Sequence, residues 1–284
     1  MRANPKYRSQ DKKFWANVRT IGQAIGYTDK QSKQVRIYSI DDLKQAMERS
    51  RLGTEHLVGE DGNLSSLAVN LLEYFVYRAG LLNDYVAPRL MDAERAEITF
   101  RKLYEQYQPT RPIPMNKQAG DKKKIAYLTG IVNMIIEAYS AGLPCDYDPH
   151  VLTTITKDHE PLRTLARRVD GCFPSCINPI AIWEIKEYYY TTTFGSRIAD
   201  GVYETLLDGL ELEELRNREK IHIEHLLIVD AYLTWWDMGK SYLCRMIDIL
   251  NMGYVDEILF GYEVVERLPQ IVQGWVKQYE DMKS

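Results

Sequence analysis

Hydrophobic residues in the first third of the chain recur at intervals of three and four, which is the period of an amphipathic helix. One such stripe lies in NLSSLAVNLLEYFVYRAGLL and consists of Leu64, Leu67, Ala68, Leu71, Leu72 and Phe75. A further helix is predicted for DAERAEITFRKLYEQY. The earlier segment FWANVRTIGQAIGYTDKQSKQVRIYSIDDLKQAM combines helical patterns with a glycine-centred break. That combination is typical either of a small helix-turn-helix or winged module or of a solvated basic lead-in. The amino-terminal part is therefore predicted to be mainly helical.

A segment rich in proline and lysine, QPTRPIPMNKQAGDKKK, follows these helices. Prolines and glycine disfavour regular structure, so this composition is typical of a linker. We place the predicted domain boundary near Pro114, with a mainly helical domain over residues 1–114 and a second domain over residues 115–284.

Helical and strand-like patterns alternate beyond this linker. A helix is predicted for KIAYLTGIVNMIIEAYSAG, then strands for RRVDGCF and IAIWEIKEYY, and then a helix for RIADGVYETLLDGLELEELRNR. The strand IHIEHLLIVDAYL, the helix GKSYLCRMIDILNMG, the strand VDEILFG and a final helix with a break at Pro269 complete the pattern. Strands separated by helices predict an α/β fold with a mixed central sheet flanked by helices.

The strand in NPIAIWEIK is apolar on both faces until its carboxyl end, where two opposite charges emerge. Because side chains alternate along a strand, Glu184 and Lys186 are predicted to share one face. A hairpin-like return through GCFPSCINP is predicted to bring Asp170 alongside Glu184. Carboxylate oxygens are the ligands that Mg²⁺ prefers, and open α/β sheets place ligands at the carboxyl ends of their strands. The sequence therefore predicts a magnesium site here.

This arrangement, VDG and then EIK on an apolar strand, resembles the motif of the PD-(D/E)xK nuclease superfamily, which has the restriction-endonuclease-like fold. Asp170, Glu184 and Lys186 match its Asp, Glu and Lys, whereas Val169 stands where the motif has proline. The predicted order of elements over residues 122–261 also resembles that fold's common core. The resemblance implies that Asp170 and Glu184 hold Mg²⁺, which Mn²⁺ replaces, and that Lys186 positions the attacking water.

The EIK triplet is not specific by itself, because the same pattern also begins at Asp11, Asp42, Asp121 and Asp281. Those four matches lie in polar helical or linker contexts, whereas EIK ends an apolar strand. The alternative for Glu184 and Lys186 is an ordinary exposed charge pair at a strand end.

Further site residues are predicted around the motif. Many members of the superfamily carry an acidic residue on the helix before the first strand, and Glu137 is the matching position for a further metal ligand. The alternative is an exposed helix carboxylate. Arginines near the motif are predicted either to contact DNA phosphates or to be solvated: Arg163, Arg167, Arg168 and Arg197.

Charge is distributed unevenly over the 284 residues, whose net charge is −4. The first 36 residues contain nine basic and two acidic residues, a net of +7, so the remainder carries −11. The four cysteines lack paired spacing, which predicts reduced thiols. The absence of a long apolar run predicts a cytoplasmic protein without a membrane segment.

Together, these features predict a Mg²⁺-dependent DNA endonuclease of the restriction or phage-defence kind. Two alternatives stay open: a catalytically inactive, nuclease-like DNA-binding or assembly subunit of a defence complex, and an RNA or nucleotide phosphodiesterase. The predicted partners are DNA and either a second copy of the chain or the other subunits of a larger defence complex.

Overall fold

The computed structural model describes residues 1–29, 31–59, 61–116, 124–191 and 195–284, with the side chain of residue 197 outside the described part. Most of the linker's second half, residues 117–123, also lies outside it.

Helices form the amino-terminal part of the described chain. Their bounds are α1 (Pro5–Arg8), α2 (Lys12–Ile25), α3 (Ile40–Arg49), α4 (Ser66–Gly80), α5 (Ala87–Arg89) and α6 (Ala93–Tyr107). A π-helical segment, Leu81–Val86, joins α4 to α5. The predicted helices around Leu71 and Phe100 are thus confirmed as α4 and α6. Helices α2 and α3 are separated by 14 residues instead of the three- or four-residue turn of a helix-turn-helix.

The remaining elements alternate between helices and strands. Their bounds are α7 (Tyr127–Tyr139), β1 (Asp146–Tyr147), β2 (Thr154–Lys157), β3 (Glu160–Thr164), β4 (Gly171–Phe173), β5 (Ala181–Glu187), α8 (Ser196–Glu219), β6 (Glu224–Asp230), α9 (Lys240–Met252), β7 (Glu257–Phe260) and α10 (Glu263–Lys283). A second π-helical segment, Leu233–Met238, precedes α9.

Five strands form one mixed sheet in the order β1-β4-β5-β6-β7. The pairs β1/β4 and β4/β5 are antiparallel, whereas β5/β6 and β6/β7 are parallel. Helices α7 and α10 cover the face that carries Trp183, and α8 covers the face that carries Ile182. The predicted α/β fold with a mixed sheet between helices is confirmed. Strands β2 and β3 form a separate hairpin that the sequence pattern did not predict.

Helix α6 precedes the predicted boundary at Pro114, yet it packs into the core beneath the sheet. Phe100 of α6 lies in one cluster with Tyr127 and Ile131 of α7. A Cβ atom on Gly130 would clash with the Phe100 ring, so glycine at this position allows the close approach of the two helices. The sheet and α6 therefore share one hydrophobic core.

Helix α10 runs without a break through Pro269, contrary to the prediction. A proline inside a helix removes one backbone hydrogen bond. Here Leu268, Val272 and Trp275 are buried against the sheet, and this packing keeps the helix continuous.

A buried ion pair connects the amino-terminal helices to the sheet domain. Arg78 of α4 is 0% exposed, and its Nη1 donates to Asp248 Oδ1 at 2.9 Å and Oδ2 at 3.1 Å. The Tyr74 hydroxyl also donates to Asp248 Oδ1, at 2.6 Å. Phe75 and Tyr27 add ring contacts to the Arg78 guanidinium. Helices α4 and α9 are thus joined by buried polar as well as apolar contacts.

Basic residues at the start of the chain contact its acidic remainder. Arg2 Nε donates to Glu257 Oε2 at 2.8 Å, and Arg8 Nη1 donates to the carbonyl of Met252 at 2.9 Å, at the end of α9. Helix carboxyl ends carry partial negative charge. Some of the basic residues in the amino-terminal segment therefore stabilise contacts within the chain. Within the part of the chain that the structure describes, no helix is long and apolar enough to cross a membrane.

We predict that Arg78→Met lowers the free energy of unfolding by about 3–5 kcal/mol, because Asp248 then stays buried without its cation. Urea denaturation measures this change. The matched control is Arg101→Met, which removes an exposed arginine that pairs with Glu97 on α6. That change is expected to have a much smaller effect on stability, because water screens an exposed ion pair. Equal effects of the two substitutions would contradict a role for the buried pair.

Candidate functional site

Asp170 and Glu184 lie side by side on adjacent antiparallel strands. Asp170 directly precedes β4, and the register that pairs Gly171 with Trp183 places Asp170 opposite Glu184. Asp170 Oδ2 accepts a hydrogen bond of 2.7 Å from the N–H of Ile185, which ties the carboxylate to the backbone between Glu184 and Lys186. The structure therefore brings together the three residues of the predicted motif.

Glu184 and Lys186 share the face of β5 that α8 covers. They are 3% and 5% exposed. Lys186 Nζ donates to Glu184 Oε1 at 2.6 Å and to Glu204 Oε2 at 3.0 Å. A Cβ on Gly201 would lie only 3.0 Å from Lys186 Cε, so α8 passes close to the lysine stem. The charged end of β5 is therefore enclosed by α8 instead of lying free at a strand end.

Arg167 completes this charged cluster. Its Nη2 donates to Glu184 Oε1 at 2.7 Å, and its Nη1 donates to Glu184 Oε2 at 3.1 Å and to Asp208 Oδ2 at 2.6 Å. We call Asp170, Glu184, Lys186, Arg167, Glu204 and Asp208 the β5–α8 cluster. Sequence reasoning selected Arg167 as a phosphate contact but did not select Glu204 or Asp208. Their four-residue spacing on a predicted helix, with Asp208 interrupting the apolar LLDGL, is the signal that was available.

Charges in the β5–α8 cluster are not balanced. Burial raises the pKa of Asp170 to about 7, and the nearby Glu184 carboxylate adds to the rise. Burial likewise raises the pKa of Asp208 to about 7. At Glu184 the effect of burial is outweighed by Lys186 and Arg167, which lower its pKa. Burial by itself would lower the pKa of the Lys186 ammonium. The Glu184 carboxylate outweighs this effect, so the pKa of Lys186 is raised overall. Four carboxyl groups share two cations, so the cluster is short of positive charge.

The cluster offers donors suited to a hard cation, although none is arranged as a finished metal site. In the described ranges, no group of three or more His, Cys, Asp or Glu side chains forms a metal-binding arrangement. The guanidinium of Arg167 occupies both oxygens of Glu184. Asp208 Oδ1, however, is buried without a hydrogen-bond partner. Carboxylate oxygens are the ligands that Mg²⁺ takes in proteins, so the donor chemistry fits this ion once Arg167 leaves Glu184.

An open cavity of about 520 Å³ lies beside Asp170. Its lining includes Asp170, Ile185, Thr129, Asn133 and Asp148. A cavity of this size is within the range of small-molecule and substrate sites. Asp170 thus lines an open cavity on one side and adjoins Glu184 of the β5–α8 cluster on the other.

Glu137 does not join the β5–α8 cluster. It belongs to α7, which covers the opposite face of the sheet. Its Oε1 accepts hydrogen bonds from the backbone N–H of Thr110, at 3.1 Å, and from the Thr110 hydroxyl. Glu137 and Glu184 therefore lie on opposite sides of the sheet, and the structure does not bring them together as ligands of one metal ion.

The end of β5 also supports α7. Glu187 is directed to the face opposite Lys186, where its Oε2 accepts from the N–H of Thr129 at 3.0 Å and from the Thr129 hydroxyl at 3.1 Å. Ala126, at the cap position of α7, has no side chain that can satisfy these groups. Burial raises the pKa of Glu187 to about 7. Glu187 is therefore a structural cap for α7.

The other predicted DNA-contacting arginines differ in their surroundings. Arg163 pairs with Glu211 and Glu214 of α8. Arg168 is exposed, with Nη1 3.4 Å from His150 Nδ1. The side chain of Arg197 lies outside the described residues. Arg168 is therefore accessible at the surface, two residues before Asp170 in the chain.

The fold and site define an α/β protein with a buried carboxylate, lysine and arginine cluster beside its central strand. Residues 91–275 match the family model described as Domain of unknown function (DUF7687), and residues 1–85 match Domain of unknown function (DUF7690). The first match covers more than half of the chain, which therefore belongs to the DUF7687 family. No curated protein and no solved structure matches the chain. Helix α6 falls within the same family model as the sheet.

We predict that stability falls as pH rises between 3.8 and about 7, in part because of Asp208. In this window the folded state binds a proton at Asp208 that the unfolded state has released, so the free energy of unfolding decreases with pH. Asp208→Asn removes this proton and is expected to make the slope shallower by up to about 1.4 kcal/mol per pH unit.

Urea denaturation across this pH window measures the slope. Asp41→Asn, at an exposed position of α3, is the control for the loss of a carboxylate as such, and its slope is compared with that of Asp208→Asn. An unchanged slope in Asp208→Asn would contradict the raised pKa of this carboxyl.

Proposed function

We propose that this chain is a metal-dependent phosphodiesterase that cleaves DNA. The observation that carries the proposal is the position of Asp170, Glu184 and Lys186, which lie together on adjacent strands. The order α7, β1, β4, β5, α8, β6 supports it, because a helix, three strands, a helix and a strand form the core of the restriction-endonuclease-like fold that the motif resembles. In this interpretation the β2/β3 hairpin is an insertion between the first two core strands.

Asp170 and Glu184 would hold Mg²⁺, with Mn²⁺ as a substitute. When bound, such an ion polarises a phosphate and lowers the pKa of a bound water. Lys186 has a raised pKa and is held by Glu184 and Glu204, so it acts as a protonated donor. Its ammonium orients the attacking water and offsets phosphate charge. The proton that this water loses would pass to solvent, and the leaving oxygen would take a proton from solvent.

In this mechanism Arg167 has one observed position, on Glu184, and one proposed position, on a DNA phosphate. In the described structure it neutralises Glu184, and its side chain is 21% exposed. With Glu184 engaged elsewhere, the guanidinium of Arg167 would be able to turn outward and contact a DNA phosphate. Exposed Arg168 lies next to it in the chain and supplies a second phosphate contact. Cleavage of both strands of a duplex needs two sites, which a symmetric dimer provides. We propose a restriction or phage-defence role for this activity.

One observation favours a second candidate, an inactive nuclease-like DNA-binding or assembly subunit. Both carboxylate oxygens of Glu184 are occupied, by Arg167 and Lys186, and α8 covers them. A cluster that serves only to connect β5 to α8 would have this closed arrangement. The two candidates differ in metal binding, because a structural cluster has no need of a divalent ion.

We predict that Asp170→Ala and Lys186→Ala each abolish cleavage of unmodified DNA in the presence of Mg²⁺ or Mn²⁺. The first substitution removes a metal ligand and the second removes the group that orients water. Gel analysis of plasmid DNA measures cleavage, and parallel assays with RNA and mononucleotides define the substrate class. Glu160→Gln, an exposed position on β3, serves as the matched control and retains activity. Cleavage by either alanine variant at the wild-type rate would refute the assignment.

Calorimetric titration with Mn²⁺ separates the two candidates. The nuclease is expected to bind Mn²⁺ through Asp170 and Glu184, so Glu184→Gln weakens binding by at least about tenfold. An absence of carboxylate-dependent Mn²⁺ binding, together with an absence of cleavage, would favour the inactive subunit.

A further inference from the structure

A second cavity lies where the amino-terminal helices meet the sheet domain. It has a volume of about 320 Å³ between α2, α8 and α9. Arg19 and Gln23 come from α2, Tyr203 from α8 and Arg245 from α9, and the ring of Tyr27 forms part of the wall. This cavity is distinct from the one beside Asp170, and its lining includes no member of the β5–α8 cluster.

Two guanidinium groups in this cavity have no carboxylate partner among the described residues. Arg245 Nη1 donates to the Tyr203 hydroxyl at 2.7 Å, and its guanidinium lies 5.2 Å from the centre of the Tyr27 ring. Arg19 Nη2 contacts the sulfur of Met252 at 3.5 Å. This environment differs from that of Arg78 and Arg167, which are paired with carboxylates.

The carboxylate that lines this cavity is already neutralised. Asp248 also lines the cavity, but it accepts hydrogen bonds from Arg78 and Tyr74. The lining therefore carries excess positive charge from Arg19 and Arg245. Arginine is suited to phosphate, because its planar donors match two phosphate oxygens at once.

An aromatic surface lies next to these arginines. Tyr203 is 51% exposed, although its hydroxyl is held by Arg245. A fixed, exposed ring beside a guanidinium is the arrangement on which nucleic-acid bases stack. The volume is at the lower end of the range for small-ligand sites, which suits one nucleotide.

We propose that this cavity binds a nucleotide, with the phosphate on Arg19 and Arg245 and the base against Tyr203. The nucleotide is either free in solution or one unit of a single strand. The proposal is independent of catalysis at Asp170, because it concerns other residues and requires no metal.

Binding is tested by calorimetry without divalent metal on the full-length Asp170→Ala variant, so that hydrolysis does not interfere. The probes are AMP, ATP, inorganic phosphate and a single-stranded oligothymidylate. A nucleotide, free or in the strand, is expected to bind at least about tenfold more tightly than phosphate alone, because stacking adds to the phosphate contacts. Tighter binding of AMP or ATP identifies a free nucleotide as the ligand, and tighter binding of the oligomer identifies a strand.

Added to this background, Arg245→Met and Arg19→Met are each expected to weaken binding by at least about tenfold, and Tyr203→Leu by at least about fivefold. Arg101→Met, an exposed arginine on α6 away from the cavity, is the matched control and retains binding. Circular dichroism verifies that each variant is folded. The proposal is overturned if no nucleotide binds at millimolar concentration, if phosphate alone binds as tightly, or if the cavity variants bind like the control.

Discussion

The enclosure of charge beside the central strand is the constraint on which the rest of the structure depends. Strand β5 lies between two other strands, and helices cover both of its faces, so Glu184 and Lys186 are almost fully buried. Buried charges must be paired and hydrogen-bonded. Arg167 and two carboxylates of α8 meet this requirement, and this fixes the position of α8 and of the segment before β4. The same pairing keeps Glu184 ionised while Asp170 and Asp208 titrate near neutrality.

A similar principle operates between the two parts of the chain. The basic amino-terminal segment resembles a nucleic-acid-binding region in composition, but several of its cations have partners within the molecule. Arg2 contacts Glu257, and Arg8 contacts the end of α9. Arg19 of this segment, like Arg245 of α9, is different because no carboxylate neutralises it among the described residues. Net charge over a segment therefore says less about its ligands than the pairing of each cation does.

The sequence allowed the central elements to be predicted because each buries a continuous face. In strand β5 and helix α4, the spacing of the hydrophobic residues directly shows the period of a strand and of a helix. The hairpin-like segment between Asp170 and Glu184 indicated that these two residues lie side by side. The β2/β3 hairpin was missed for two reasons. Its strands are partly exposed, so they show no clear apolar face. Its turn residues, Asp158 and His159, both have left-handed backbone conformations, although neither is the glycine that usually marks such a turn. The partners of Arg167 were missed because they depend on where α8 lies, and sequence periodicity does not encode the packing of distant elements.

The cap that Glu187 supplies to α7 has a consequence for how the domain forms. The two groups are 58 residues apart in the chain, and the first turn of α7 lacks a local side chain that can satisfy its N–H groups. The helix start is therefore completed only when the central strand is in place. Closing so long a loop is slow relative to local helix formation. Helix α7 and β5 thus belong to one cooperative unit, and amide protons at the start of α7 exchange with solvent only as readily as the sheet opens.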